Sequence, residues 1–112
     1  MSVTFFAATE DGHPVARDDL GLRVNVASAN AAALLRVLGV SSGPDLAGDV
    51  DLPTARRALM KARFRASYGV RRVAGRAWVL GVDRGYVLQR VADLEWLVEA
   101  AGAAGAVRLA WA

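Results

Sequence analysis

The spacing of hydrophobic and polar positions changes several times along this chain, and each change marks a predicted element. Val3 to Ala8 is a short apolar and aromatic run that stops at Glu10-Asp11-Gly12-His13-Pro14, the pattern of a strand running into a turn. Leu22-Arg23-Val24-Asn25-Val26 alternates with the period of two that a half-buried strand requires. With Val15 to Asp19 as connection, the two strands form a hairpin. Ala31, Leu34, Leu35 and Leu38 then fall on one helical face, with Ser28 as the expected N-cap and Gly39 as the left-handed terminator. Val40 to Val50, which contains Ser41-Ser42-Gly43-Pro44 and Gly48, reads as a loop.

A second helix is expected from Asp51-Leu52-Pro53, an acidic cap with proline in the first turn, to Ala66. It carries two apolar stripes, Ala55-Leu59-Ala62-Ala66 and Met60-Phe64. After Gly69, the runs Val70–Val73 and Arg76–Val82 read as strands around Ala74-Gly75, with an extended loop as the alternative. Asp83 caps a third helix from Arg84 to Ala101, where Val87, Val91, Leu94, Val98 and Ala101 recur at helical spacing and Gly102 ends the pattern. The chain finishes in an alternating Val107-Arg108-Leu109-Ala110-Trp111, and pairing this beside Val3–Ala8 ties both ends into one sheet. The expectation is a single α+β domain over 1–112: a small sandwich of two or three helices on one face of a three- to five-stranded, mostly antiparallel sheet, its terminal strands adjacent.

Composition narrows the chemistry. Hydrophobic residues make up 54% and charged residues 22%, which is globular and not disordered. With no cysteine, disulfides and thiolate chemistry are excluded. Met1 to Phe6 lacks the basic region and apolar core of a signal peptide, and no apolar run approaches the ~20 residues of a bilayer span. The expected location is the cytoplasm.

Charge changes the picture more. Residues 52–82 hold eight basic residues and no acidic one, whereas the rest of the chain holds six basic and eleven acidic. Arg57, Lys61 and Arg65 share one direction on the second helix, Arg56 and Arg63 another, and Arg71, Arg72 and Arg76 gather if 70–82 is a hairpin. Trp78, Phe64 and Tyr68 lie in the same stretch. The candidate binding surface is therefore Arg57, Lys61, Arg65, Arg71, Arg72, Arg76 and Trp78. Arginine and aromatic rings suit a protein hot spot, and the same residues suit phosphates and unpaired bases. An ordinary solvated helix exterior would look similar.

Other constellations are weaker. The acidic stretch Asp45 to Asp51 lacks the spacing of a calcium loop, so no metal and no cofactor is assigned. His13, with Asp11, Asp18 and Asp19 near in sequence, has no marked nucleophile, and no catalytic residue is assigned. The Asn25–Asn30 junction could hold an anion at a helix N-terminus, but it has neither a Gly-rich loop nor Lys, and turn-satisfying asparagines are the simpler reading. Trp96 lies beside Glu95 and off the Val91-Leu94-Val98 stripe, with burial against a neighbour favoured over exposure.

The run Asn25 to Gly39, together with Tyr86-Val87-Leu88-Gln89-Arg90-Val91 and the Trp-ending terminal strand, resembles small bacterial and phage proteins. The resemblance supports the helices and implies no activity. These readings lead to a small intracellular interaction or regulatory protein that binds another protein, a homodimer being one form of this. The alternatives are a nucleic-acid-binding module using the Arg-rich segment 56–78, and a small enzyme or ligand-binding domain near Asn25–Asn30.

Overall fold

Alternation along the first strand decides which side of the sheet becomes the interior. The computed structural model describes residues 1–15, 22–43 and 45–112. In it, β1 (Ser2–Ala8) is central, flanked by β2 (Arg23–Ala27) and the terminal β7 (Arg108–Trp111), with β3 (Gly48–Asp51) beyond β7. All pairings are antiparallel, and the registers Val3↔Val26, Phe5↔Trp111 and Val50↔Leu109 set one residue parity facing inward. Val3, Phe5, Ala7, Val26, Leu109 and Trp111 join the core from that face. The other face carries polar pairs: Asn25 Nδ2 donates to Thr4 Oγ1 at 3.0 Å, and Arg108 pairs with Asp49 at 3.2 Å.

Three helices supply the second layer: α1 (Ser28–Leu38), α2 (Leu52–Tyr68) and α3 (Arg84–Ala103). Their buried residues, including Leu34, Leu59, Val91 and Leu94, complete the core. Each large side chain so buried contributes about 1.5–3 kcal/mol. The architecture is the expected α+β, with the terminal strands adjacent. No helix among the described residues is long and apolar enough to cross a membrane.

Several local expectations need correcting. Ser28 is the first residue of α1 rather than its cap; Ala27 holds that place without a side-chain bond. The Ser28 amide, the first of the helix, donates to Met1 O at 3.2 Å, so one of the unpaired first-turn amides is satisfied by the chain just before β1. Gly39 ends the helix at φ 72°, as its position implied. Residues 48–50 of the expected loop, with Asp51, form the edge strand β3, which has only one apolar residue to announce it. Its Gly48 admits the indole of Trp111: a Cβ there would lie 2.7 Å from Trp111 Cζ2.

Asp51 caps α2 by accepting from the Thr54 amide at 3.3 Å; hydrogen bonding to the Thr54 side chain first, and to that amide after it, lowers the pKa of its carboxyl. The helix runs to Tyr68, two residues past its expected end. Asp83 caps α3 through the Tyr86 amide at 3.2 Å. Gly102 lies inside α3, and the left-handed glycine is Gly105 at φ 84°. Gly102 leaves room for Arg56, whose Nη2 would sit 3.2 Å from a Cβ at that position.

Residues 70–82 fold as strands and not as an extended loop, but in a separate small sheet. The strands β4 (Arg71–Val73), β5 (Arg76–Val79) and β6 (Val82–Asp83) lie in that order. Both connections are two-residue turns with positive φ throughout: Ala74 and Gly75 at 54° and 76°, Leu80 and Gly81 at 50° and 79°. This is the pattern of type I′ hairpin turns, which favour Asn-Gly, and a left-handed Ala or Leu costs about 1–2 kcal/mol. Val79 alone among the residues of these strands is buried. The expected connection over 16–19, including Asp18 and Asp19, and Pro44 of the expected loop lie outside the described residues.

Candidate interaction surface

Helix α2 is arranged unlike an ordinary amphipathic helix. Of its two apolar stripes, the one turned inward is small: Ala55, Ala58, Ala62 and Ala66 are buried, with Leu52 and Leu59. The stripe turned outward holds Met60, Phe64 and Tyr68 at spacings of four, exposed by 66%, 62% and 78%. The Phe64 and Tyr68 rings meet at 4.7 Å between centroids, so the outer stripe is partly ordered by its own contacts.

The cations of α2 divide by function. Arg63 pairs with Glu95 of α3, its Nε lying 3.4 Å from Oε2, and this pairing pushes the Arg63 pKa further up. Arg65 is half-buried and donates to Val37 O, satisfying the C-terminal end of α1. Arg57 Nη2 donates to Thr54 Oγ1 at 3.2 Å. Arg57, Lys61 and Arg65 nonetheless line one shallow notch of about 160 Å³ with Thr54 and Gly39. On the side of the apolar stripe, Met60 and Phe64 share a cleft with Lys61 and Arg65. The far flank, lined by Arg63, Glu95 and Glu99 among others, is mixed in sign.

The hairpin separates its arginines. Register pairs Arg71 with Trp78 and Val73 with Arg76, which puts these four on one face of the small sheet. Arg72 pairs with Ala77 and lies on the opposite face. Arg71, Arg72 and Arg76 are all exposed, and Trp78 is half-buried. The sequence-based candidates are therefore brought together in two groups, Arg57-Lys61-Arg65 and Arg71-Arg76-Trp78, with Arg72 apart from both.

Residues missed by sequence reasoning complete these surfaces. Tyr68 extends the Met60-Phe64 stripe, and the i, i+4, i+8 spacing could have shown it. Val73 and Leu80 join Arg71 and Trp78 around a cleft of about 440 Å³. Leu80 and Gly81 fell inside the expected strand Arg76–Val82, which the turn at these two residues divides into β5 and β6; the Leu-Gly pair was the signal. Trp96 is 51% exposed rather than buried, because α3 faces the core with Leu94, Leu97 and Val98.

The weaker constellations are spent locally. Asn25 donates to Thr4, Asn30 is exposed on the first turn of α1, and His13 is exposed in the turn where Thr9 N donates to its carbonyl at 2.8 Å. Asp45 accepts from Ala47 N at 3.1 Å, Asp49 pairs with Arg108, and Asp51 caps α2. Among the described residues no three His, Cys, Asp or Glu gather into a metal-binding group. Comparison with protein-family models, with curated proteins and with solved structures finds no match to this chain.

Proposed function

We propose that this protein is a protein-interaction module whose α2 outer face docks an acidic, amphipathic segment of a different protein. One observation carries the reading: α2 buries alanines and leaves Met60, Phe64 and Tyr68 in solvent. Folding alone favours the reverse, since each large apolar side chain left outside forgoes about 1.5–3 kcal/mol of burial. Contiguous exposed apolar surface of this kind marks a partner site.

The charges select the partner. Lys61 and Arg65 border the stripe, and residues 52–82 contain no carboxylate. An antiparallel two-fold pairing of α2 with α2 of a second copy would bring these cations against themselves, and like charges across an interface disfavour association. An acidic helix with apolar residues at i and i+4 satisfies both stripe and border.

The test is an NMR titration of ¹⁵N-labelled protein with a synthetic helical peptide of Leu at i, i+4 spacing and Glu elsewhere. Shifts should centre on Met60, Lys61, Phe64 and Tyr68, weaken as salt rises, and vanish with a Lys-for-Glu peptide. No shift at about 1 mM peptide, where even an affinity near −4 kcal/mol would register, refutes the reading.

A nucleic-acid module remains the second reading, supported by the hairpin that gathers Arg71, Arg76 and Trp78 on one face. It calls for oligonucleotide affinity falling with salt at about 0.7 of a log–log unit per phosphate contact on a single strand. With Arg72 on the other face, few phosphates could be neutralised at once.

A further inference from the structure

Leu80 is strained and exposed together: φ is 50° in the β5–β6 turn, and the side chain is 54% accessible. Asn at this position would relieve the strain and put a polar side chain where Leu exposes apolar surface. The turn is also braced, because Arg36 Nη2 of α1 donates to the Leu80 carbonyl at 3.2 Å. A strained residue held by its surroundings argues for a use of its side chain. That side chain walls the cleft shared with Val73, Trp78 and Arg71, to which Gly69 and Gly81 contribute no side chain. Arg76 lies on the same sheet face. Gly69, which lines the cleft, follows Tyr68, the last residue of the exposed stripe, in the chain.

We infer that this cup is a second anchor point for the acidic partner, taking one bulky apolar side chain while a neighbouring carboxylate meets Arg71 or Arg76. The inference rests on the reading of α2 as the partner surface. The cup is apolar on Val73, Trp78 and Leu80 and cationic at its rim, and so matches a hydrophobic residue next to an acidic one. A single-stranded nucleic acid would find the arginines and one ring to stack on, but only the Trp78 indole N–H among Val73, Trp78 and Leu80 to reach a base edge.

The experiment compares wild type, Leu80→Asn, Arg71→Glu and the double variant Met60→Ala/Phe64→Ala. The probes are a fluorescein-labelled helical peptide of Leu and Phe at i, i+4 spacing with Glu elsewhere, and a labelled oligo-dT. In the wild type, peptide binding should move the Trp78 indole N–H resonance. Leu80→Asn should raise the thermal midpoint, by roughly 4–8 °C if the strain is fully relieved, yet bind the peptide about tenfold more weakly, a loss of about 1.4 kcal/mol. That opposition of stability and affinity is not expected of a purely structural turn. If Leu80→Asn lowers the midpoint, Arg71→Glu, at an exposed strand position, tests the cup by affinity alone, with the midpoint expected to stay near the wild-type value.

Unchanged binding by Leu80→Asn and Arg71→Glu, with loss in the α2 double variant, overturns the cup and leaves the α2 reading standing. Unchanged binding by all three variants, or no peptide binding at about 1 mM, overturns both. Oligo-dT moving the Trp78 resonance at about 150 mM salt, where screening is already short-ranged, with the peptide leaving it still, replaces the cup's occupant with nucleic acid.

Discussion

Truncating Phe64 separates a side chain kept for binding from one kept for folding. Phe64 is 62% exposed, whereas Phe5 is fully buried and packs on Trp111 at 5.8 Å between ring centroids. A buried Phe→Ala change costs about 3–5 kcal/mol in lost transfer energy and cavity. With most of its surface already in water, Phe64 forfeits only a fraction of that, about 1–1.5 kcal/mol, and leaves no closed cavity. Loss of the ring contact with Tyr68 adds about 0.5 kcal/mol at such an exposed site. Alanine's better helix propensity returns roughly 0.5 kcal/mol. The net expectation for Phe64→Ala is therefore a loss of about 1–1.5 kcal/mol, against about 4 kcal/mol for Phe5→Ala. Urea denaturation of both variants at several protein concentrations measures the difference. A Phe64→Ala loss of about 3 kcal/mol or more, approaching a buried-site value, would refute the exposed-stripe argument. If that loss came with a midpoint rising with protein concentration, the stripe would be covered by a second copy.

Two further predictions concern the framework. Gly48→Ala should destabilise by about 1–3 kcal/mol, because its Cβ would meet the buried Trp111 indole within the sheet; chemical denaturation at neutral pH reads it, and a neutral result would mean the β3–β7 register is looser than described. Asp51, held below its ordinary value of 3.8 chiefly by the Thr54 hydrogen bond, stabilises fully above that unfolded value and loses its contribution as pH falls through the folded one. The stability gap between wild type and Asp51→Asn should therefore be constant above about pH 5 and change only below it.

Much of the framework was legible because it is written in local signals. Asp51 and Asp83 precede helical patterns and cap them; Gly39 follows one and turns left-handed; the alternation of Arg108-Leu109-Ala110-Trp111 places a terminal strand beside β1. Each depends on residues a few positions apart, so a linear reading suffices. β3 escaped because its evidence is a partner: Gly48 makes sense only once Trp111 lies over it. The bond from the Ser28 amide to the Met1 carbonyl escaped for the same reason.

The binding surface divides along that line. The sequence by itself determined that residues 52–82 are cationic and aromatic, and that α2 carries two apolar stripes. Only the tertiary structure decided which stripe is buried. Helices pack at a separation set by the side chains between them, and the α2 seam is filled by alanines with Leu59, which leaves Met60, Phe64 and Tyr68 outside. Tertiary placement likewise assigned Arg65 to the end of α1 and Arg63 to Glu95, and left Lys61, Arg71 and Arg76 facing solvent. Periodicity reports that a face is apolar, but whether that face meets the core or the solvent is settled by the distance to the neighbouring element.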